Sequence, residues 1–470
     1  MHVTTKQKRD FTSGKVLKNL ILFAIPMALA SILQILFNAA DVAIVGQFGG
    51  SQYQAAVGAT TSTIHVIVQL FVGLSVGANV VMANAYGAKD EQKQQRVVHT
   101  SMATAVVSGL ITMVLGLLVS RLILTAIDTP DDILDYSVIY MQIYFLGAPA
   151  MMIYNFGASV LRSIGETKKP LLYLFVAGII NLVVNIVTVL FFHWHVIGVA
   201  LGTTISQCVS AVWVVVDLRK MQGGAHYSIR KTRFYKKELK KILGMGIPMG
   251  LNGSLFSISN ILIQSSINVY GGMAIAGNTV ASNIEAFGDA FPIAVENATV
   301  TFIGQNVGAK KPERIPRILG ACLFACTMIQ AFFFLLFFLC GKYLAMAFNS
   351  DPSVVEWAVK RLMVVGITYI LTTPMRGYGA ALKGMGYSFF PMLVTLFFTC
   401  IVRVLYITLI YSNFAVQTIE QIYIIYPITW VLTGVFLLLT FYIVWAREKR
   451  KFPKEKSQKE QEQENAQENA

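Results

Sequence analysis

The sequence predicts an all-α membrane protein of twelve spanning helices, built as two copies of one six-helix unit. Its composition, the distribution of its basic residues and an internal repeat support this prediction. The chain has 470 residues, of which 55% are hydrophobic and 13% charged, whereas soluble proteins carry roughly 25% charged residues. Apolar stretches of the ~20 residues that cross a bilayer recur along the whole chain. A soluble domain with a single anchor is therefore excluded.

The apolar stretches predict the following spans: 20–46, 55–83, 97–122, 134–161, 170–192, 196–218, 242–269, 278–304, 318–341, 354–382, 389–412 and 420–446. They divide the chain into five parts: a cytoplasmic N-terminus (1–19), an N-lobe (20–218), a basic cytoplasmic linker (219–241), a C-lobe (242–446) and a tail (447–470). The tail is rich in Lys, Glu and Gln, so we expect it to be disordered and cytoplasmic.

The basic residues alternate between the loops. The N-terminus, the even-to-odd loops and the tail hold 32 of the 38 Lys and Arg residues, whereas the alternate loops hold only Arg121 and Lys342. Because cytoplasmic loops are enriched in Lys and Arg, this pattern predicts an even number of spans with both termini in the cytoplasm. The net charge of +14 then marks loops that flank the membrane, not a nucleic-acid partner. The linker either binds a regulator or touches anionic lipid headgroups.

Three short motifs recur at an offset of 221 or 222 residues. They are Ile25-Pro26-Met27 at Ile247-Pro248-Met249, Gly87-Ala88-Lys89 at Gly308-Ala309-Lys310, and the segment 161–172 at 382–393. Six spans per copy make the copies parallel repeats with a cavity between two lobes, as in one class of secondary transporter. Pro26 and Pro248 are candidate hinges, since proline kinks a helix. Bending at Pro26 would couple the charge of Asp41 to the shape of the cavity, and the alternative is a fixed kink that serves packing.

Asp41 stands inside the first span. A charge at mid-bilayer costs roughly 2.5–3.5 kcal/mol, so burial favours the neutral carboxyl. Such a group can take up a proton on one side of the membrane and release it on the other, and a sodium ion could compete for the same oxygens. The alternative is a structural hydrogen bond to a neighbouring helix.

Three further acids lie in the eighth span. At ~100° per residue, Asp289 and Glu296 fall about 40° and 20° from Glu285 on the helical wheel. The three acids therefore form one narrow stripe, which we expect to face the central cavity as a second cation or substrate site. The alternative is pairing with Arg376 or Arg403 within the C-lobe.

Several segments carry a family resemblance. They are Ile25-Pro26-Met27, Asn38-Ala39-Ala40-Asp41 with Val45-Gly46, the segment 161–167, and Phe302-Ile303-Gly304-Gln305-Asn306-Val307-Gly308-Ala309. In order and spacing the chain resembles the multidrug and toxic compound extrusion (MATE) family over about residues 15–445. The resemblance implies a V-shaped transporter of twelve helices in the bacterial cytoplasmic membrane, which we expect to act as a monomer. It also implies export of organic, often cationic and aromatic, compounds in exchange for protons or sodium ions, without a cofactor.

The resemblance also implies a cation-coupling site. It places the family's key N-lobe acid at Asp41, with polar partners at Asn181, Asn185 and Thr203, and Asn155 is a further candidate neighbour. Some members carry an acid where this chain has Asn185, so Asp41 is the only carboxyl in the cluster. Pairing of the two asparagine-bearing helices is the structural alternative. The acid that the sodium-coupled branch carries in its seventh helix is replaced here by Phe256, which puts a C-lobe sodium site in doubt.

Three classes of function remain to be compared. The leading one is an exporter whose cavity acids attract cations, with Gln34, Phe37 and Asn155 as polar and aromatic contacts. Its rival, a lipid-linked saccharide flippase of the same superfamily, would line the cavity with Lys and Arg against a pyrophosphate, and this chain has few intramembrane bases. An enzyme is not expected, because the sequence shows no catalytic cluster, metal-ligand spacing or nucleotide motif.

Overall fold

The computed structural model describes residues 10–451, so most of the predicted tail lies outside the described residues. Each predicted span overlaps one helix, and most helices run a few residues beyond it. The helices are α1 Val16–Gly49, α2 Ser51–Gly87, α3 Glu91–Ala126, α4 in two pieces (Asp131–Leu146 and Ala148–Ser163), α5 Lys168–Leu190, α6 His195–Lys220, α7 Lys236–Asn268, α8 Gly272–Gly308, α9 Pro312–Phe348, α10 over residues 352–384, α11 Phe389–Asn413 and α12 Ile419–Arg450.

Ten of these twelve helices are long and apolar enough to cross a membrane, counting α4 as one span bent by 47°. The other two, α8 and α10, carry acidic and basic side chains in their interiors. α10 is also irregular, since a π-helical turn at Leu362–Gly366 and a 3-10 turn at Tyr369–Leu371 interrupt it. Both helices lie in the second half of the chain, where their charges face each other.

The surface of the helices is apolar. Leu118, Phe191 and Ile443 are each more than 70% exposed, while polar side chains such as Thr60, Ser137 and Thr433 are fully buried. Only a hydrocarbon solvent stabilises this arrangement, and helices satisfy their own backbone polar groups there. The protein is therefore an integral membrane protein.

The two halves of the chain share backbone geometry at repeated positions. α2 and α8 each have 37 residues, and they begin 221 residues apart. Lys89 and Lys310, also 221 apart, both have positive φ, of 55° and 57°. Gly165 and Gly386 both have φ of 94°, in the left-handed region that glycine adopts without strain. The fold is thus two parallel six-helix repeats, as the sequence predicts.

The lobes meet along α2, α7 and α8, in the halves of these helices nearest the basic loops; we call this side of the molecule the basic end. Gly73 packs on the backbone of Gly250, and Gly77 on that of Gly246. Small residues of this kind let helix backbones approach closely in membranes. Ser254 Oγ donates across the same contact to the carbonyl oxygen of Val66 at 2.9 Å. At the opposite end of α7, Val269 is 85% exposed.

Candidate functional site

Asp41 lies in α1, one turn before a π-helical turn at Val45–Gly49, and is 6% exposed. Asn185 Nδ2 donates to its Oδ1 at 2.5 Å, and Thr203 Oγ1 donates to its Oδ2 at 3.3 Å. With the Asn181 amide nitrogen turned toward the carboxylate, it donates to Oδ1 at 2.8 Å, and its oxygen accepts from the Thr203 backbone at 3.2 Å. The structure therefore brings together four of the five residues predicted to form the coupling cluster.

Two glycines make room for this cluster. A Cβ at position 202 of α6 would collide with Asn185 Oδ1, and one at position 178 of α5 would enter the ring of Phe37. Glycine at these positions lets α5 lie close to both α1 and α6. The close approach holds Asn185 and Thr203 within hydrogen-bond distance of Asp41.

A cavity of about 330 Å³ opens in front of Asp41, enclosed by α1, α2, α4, α5 and α6. The predicted residues that line it are Gln34, Phe37, Asp41, Asn155, Asn181 and Thr203. Asn155 does not contact Asp41 but donates from Nδ2 to the carbonyl oxygen of Met151, one turn back, at 2.9 Å. Asn185 lies behind Asp41, away from the cavity lining.

Sequence reasoning missed several residues of this cavity: His65, Gln69, Tyr144, Tyr154 and Gln207. His65 and Gln69 are one turn apart on α2. Such a polar pair inside an apolar span is a signal that could have identified this wall. Tyr140 and Tyr144 on α4 also interact electrostatically with Asp41.

The acidic stripe of α8 does not reach this cavity. Both carboxylate oxygens of Glu285 accept from Arg361, from Nε at 3.1 Å and from Nη2 at 2.8 Å. Asp289 accepts from Arg376 at 2.5 Å, and Glu296 accepts from Arg376 at 3.4 Å. The structure thus places the three acids in ion pairs with α10, inside the C-lobe.

The remaining charged groups of the C-lobe complete this network. Lys383 donates to Glu296 at 2.9 Å, so Glu296 has two cationic partners. Arg403, the other partner considered from the sequence, does not join the network. Its Nε donates to Thr429 at 3.1 Å, and its guanidinium lies 4.5 Å from the ring centre of Tyr426.

The two candidate hinges lie inside continuous helices. Pro26 lines a smaller cavity of about 100 Å³, which shares Gln34 and Asn155 with the cavity in front of Asp41. Pro248 lies between Gly246 and Gly250, where α7 packs on α2. Within residues 10–451, no group of three or more His, Cys, Asp or Glu side chains is placed to hold a metal ion.

Solved structures share this fold. The crystal structure of MATE in the bent conformation superposes with a TM-score of 0.85 at 20% identity, over 95% of this chain and 99% of that one. A MOP superfamily transporter from Pyrococcus furiosus, in which reverse polarity of the binding pocket suggests a different function, superposes with a TM-score of 0.88 at 20% identity, over 95% of this chain and 99% of that one.

Curated relatives match along most of the chain. The "Probable multidrug resistance protein YoeA" of Bacillus subtilis is 24% identical over 452 residues, 95% of this chain and 96% of its own. The "Multidrug export protein MepA" of Staphylococcus aureus is 23% identical over 383 residues, 82% of each chain. The MatE family model matches twice, at residues 26–187 and 248–409, in register with the internal repeat. These two matches cover well over half of the chain, which therefore belongs to the MatE family of membrane transporters.

Proposed function

We propose that this protein is a secondary active antiporter that exports organic, often cationic and aromatic, compounds in exchange for protons or sodium ions. The observation that carries the proposal is the environment of Asp41. It is a buried carboxyl whose neighbours Asn185, Asn181 and Thr203 are neutral donors, at the wall of an accessible polar cavity. The similarity to a probable multidrug resistance protein and to a multidrug export protein supports the same substrate class.

The geometry suggests how Asp41 would couple two ligands. Its hydrogen-bond donors stabilise the ionised carboxylate, but no cationic side chain neutralises it, since Asp41 forms no ion pair among the described residues. A proton, a sodium ion or the cationic group of a substrate would supply the missing positive charge. Because these ligands compete for one carboxylate, binding of the ion displaces the substrate, which is what exchange requires.

The cavity lining supports the exporter over the saccharide flippase. Among the residues described as lining it, Asp41 is the carboxyl and no Lys or Arg is present. A pyrophosphate would meet a carboxylate there, whereas an aromatic cation would meet that carboxylate together with Phe37, Tyr144 and Tyr154. The lining therefore favours the exporter.

Alternating access would act on the contact between the lobes. With the basic end in the cytoplasm, as the distribution of Lys and Arg predicts, the glycine contacts of α2 with α7 close the cytoplasmic side. The cavity would then face outward, and export requires a second state in which these contacts separate. Pro26, which lines the smaller cavity, is our candidate hinge.

We assign the acids of α8 a structural role. Their ion pairs with α10 join the two helices that are least apolar, and charges in a membrane interior are stabilised by pairing. We further propose that the protein acts as a monomer in the cytoplasmic membrane, with both termini inside. The basic linker of residues 219–241, which includes the end of α6 and the start of α7, would join the N-lobe to the C-lobe.

The proposal is tested with everted membrane vesicles that contain the protein. Efflux of ethidium would be followed by fluorescence while a proton or a sodium gradient is imposed separately. We expect one gradient to drive efflux, and Asp41→Asn to abolish it while the protein still inserts and folds. Asp217→Asn, which removes a carboxylate bound to Lys169 outside the cavity, is the matched control. Full activity of Asp41→Asn would refute the coupling assignment.

A further inference from the structure

A second cavity, of about 390 Å³, lies at the basic end, where the two lobes meet. Its walls come from α2 and α3 of the first lobe and from α7, α8 and α10 of the second. Val81 and Met245 are among its apolar lining residues, and Lys93 and Lys241 stand beside them. We call this cavity the open seam.

The repeat relates the open seam to a filled one across the molecule. At the offset of 221, Val81, Asn84 and Lys93 of the open seam correspond to Phe302, Gln305 and Arg314. At the offset of 222, Met245 corresponds to Phe23. These four counterparts lie together at the other contact between the lobes, and we call it the filled seam.

The filled seam holds the chain's own N-terminal segment. Phe11, only 2% exposed, stacks on Phe302 with 4.0 Å between ring centres and meets Phe23 edge-on at 5.0 Å. Its backbone nitrogen donates to Gln305 Oε1 at 3.2 Å. Arg314 donates to the carbonyl oxygen of Gly14 at 3.1 Å. The occupant of this seam therefore offers an apolar group to the walls and an oxygen to the basic residue.

The open seam likewise has apolar walls beside basic residues, and no segment among residues 10–451 fills it. Lys93 Nζ donates to Asn84 Oδ1 at 2.8 Å, and its charge is repelled by Lys241. The acids near Lys93 are already engaged, since Asp90 caps α3 and Glu238 pairs with Arg96 at 3.2 Å. Lys237 adds a further positive charge to this region. An anion between the two lysines would relieve their repulsion, and an apolar chain would fill the space beside it.

We propose that the open seam binds one anionic phospholipid, with its phosphate between Lys93 and Lys241 and an acyl chain against Val81 and Met245. A lipid is the occupant because the seam lies in a membrane-spanning protein, at the end where its basic residues attract anionic headgroups. Since the walls come from both lobes, the lipid binds best when the lobes touch at the basic end. It therefore shifts the transporter toward the state seen here.

Native mass spectrometry of the full-length protein tests this proposal, by titration with phosphatidylglycerol and with phosphatidylcholine of the same acyl chains. We expect one phosphatidylglycerol to bind tightly and phosphatidylcholine weakly. Lys93→Gln with Lys241→Gln should weaken phosphatidylglycerol binding by roughly ten- to thirtyfold. The matched control, Lys240→Gln with Lys310→Gln, removes two exposed lysines of the basic end and should change it less than about twofold. Val81→Phe, which copies the filled seam, should weaken binding of both lipids.

Several results would overturn the proposal. Phosphatidylglycerol binding could survive the Lys93 and Lys241 substitutions, or it could fall by the same factor in the control variant. Either result would show that the whole basic end attracts the lipid headgroup and that the open seam is not a specific site. Equal binding of the two lipids, or displacement by inorganic phosphate alone, would exclude a phospholipid-specific site. If Phe452→Ser in the full-length chain raises lipid binding about tenfold, the tail beyond Lys451 is the true occupant.

Discussion

The pair formed by Arg361 and Glu285 gives the sharpest test of how the C-lobe is built. Glu285 is 3% exposed, and both its oxygens accept from Arg361. Arg361 also donates from Nη1 to Asn278 at 2.7 Å and lies 5.6 Å from the ring centre of Tyr423. Arg361→Gln would leave the carboxylate buried without its partner. Removal of one member of a buried ion pair costs about 3–5 kcal/mol.

This cost should be visible in thermal unfolding of the purified protein in detergent. If a lobe of about 200 residues unfolds as one unit, Arg361→Gln should lower Tm by roughly 6–20 °C. The double variant Arg361→Gln with Glu285→Gln places two amides side by side and should recover at least half of the loss. Lys360→Gln is the control, since its pair with Glu356 is exposed and such pairs contribute at most about 1 kcal/mol.

Two results would refute this reasoning. Wild-type stability of Arg361→Gln would mean that the pair does not stabilise the C-lobe. If Glu285→Gln lost ethidium binding while its Tm stayed unchanged, Glu285 would contribute to substrate binding. That result would agree with the sequence-based expectation that the acidic stripe of α8 forms a substrate site. Ethidium binding should therefore be measured by fluorescence on the same samples.

Three further changes probe the N-lobe and the contact between the lobes. Asn185→Leu removes the hydrogen-bond donor closest to Asp41 and should weaken ion-driven efflux about tenfold or more. Unchanged efflux would show that the Asn185 side chain contributes to helix packing and not to the coupling site. Gly73→Val inserts atoms into the backbone of Gly250 and should disfavour the state seen here, measured as a longer distance between spin labels across the basic end. Pro26→Ala should flatten the pH dependence of efflux. An unchanged pH profile would show that Pro26 forms a fixed kink that serves packing and is not a hinge.

Most of the fold follows from the sequence because a bilayer imposes few solutions. Helix length is set by membrane thickness, and repetition by motifs such as those around Pro26 and Pro248. The sequence pattern did not reveal the irregular backbone of α10 or the bend between the two pieces of α4. Hydropathy counts apolar residues and is insensitive to a local change in hydrogen-bond register. Pro149 at the bend of α4 and Pro374 just after the 3-10 turn of α10 were signals that hydropathy did not use.

The site was predicted unevenly, for a physical reason. Asp41 and its neighbours follow from one rare charge in an apolar helix together with the family resemblance. The wall formed by His65 and Gln69 was missed because the prediction looked for acids and bases inside the spans, although a histidine there is also uncommon. The acids of α8 were correctly placed on one face, yet a helical wheel gives the direction of a side chain and not its partner. Whether that face meets a cavity or Arg361 depends on the packing of α10, about 75 residues away in sequence.

The repeat accounts for one difference between the lobes beside the Asp41 cavity. At the offset of 221, Val68 and Asn155, which line the cavity in the N-lobe, correspond to Asp289 and Arg376, which pair at 2.5 Å in the C-lobe. The same positions in one scaffold therefore enclose space in one copy and a salt bridge in the other. The backbone turns are alike in the two copies, whereas at these positions the N-lobe has a neutral pair and the C-lobe an ion pair. Under the proposed antiport, Asp41 of the N-lobe would bind the exchanged ligands, and the ion-paired C-lobe would move against it.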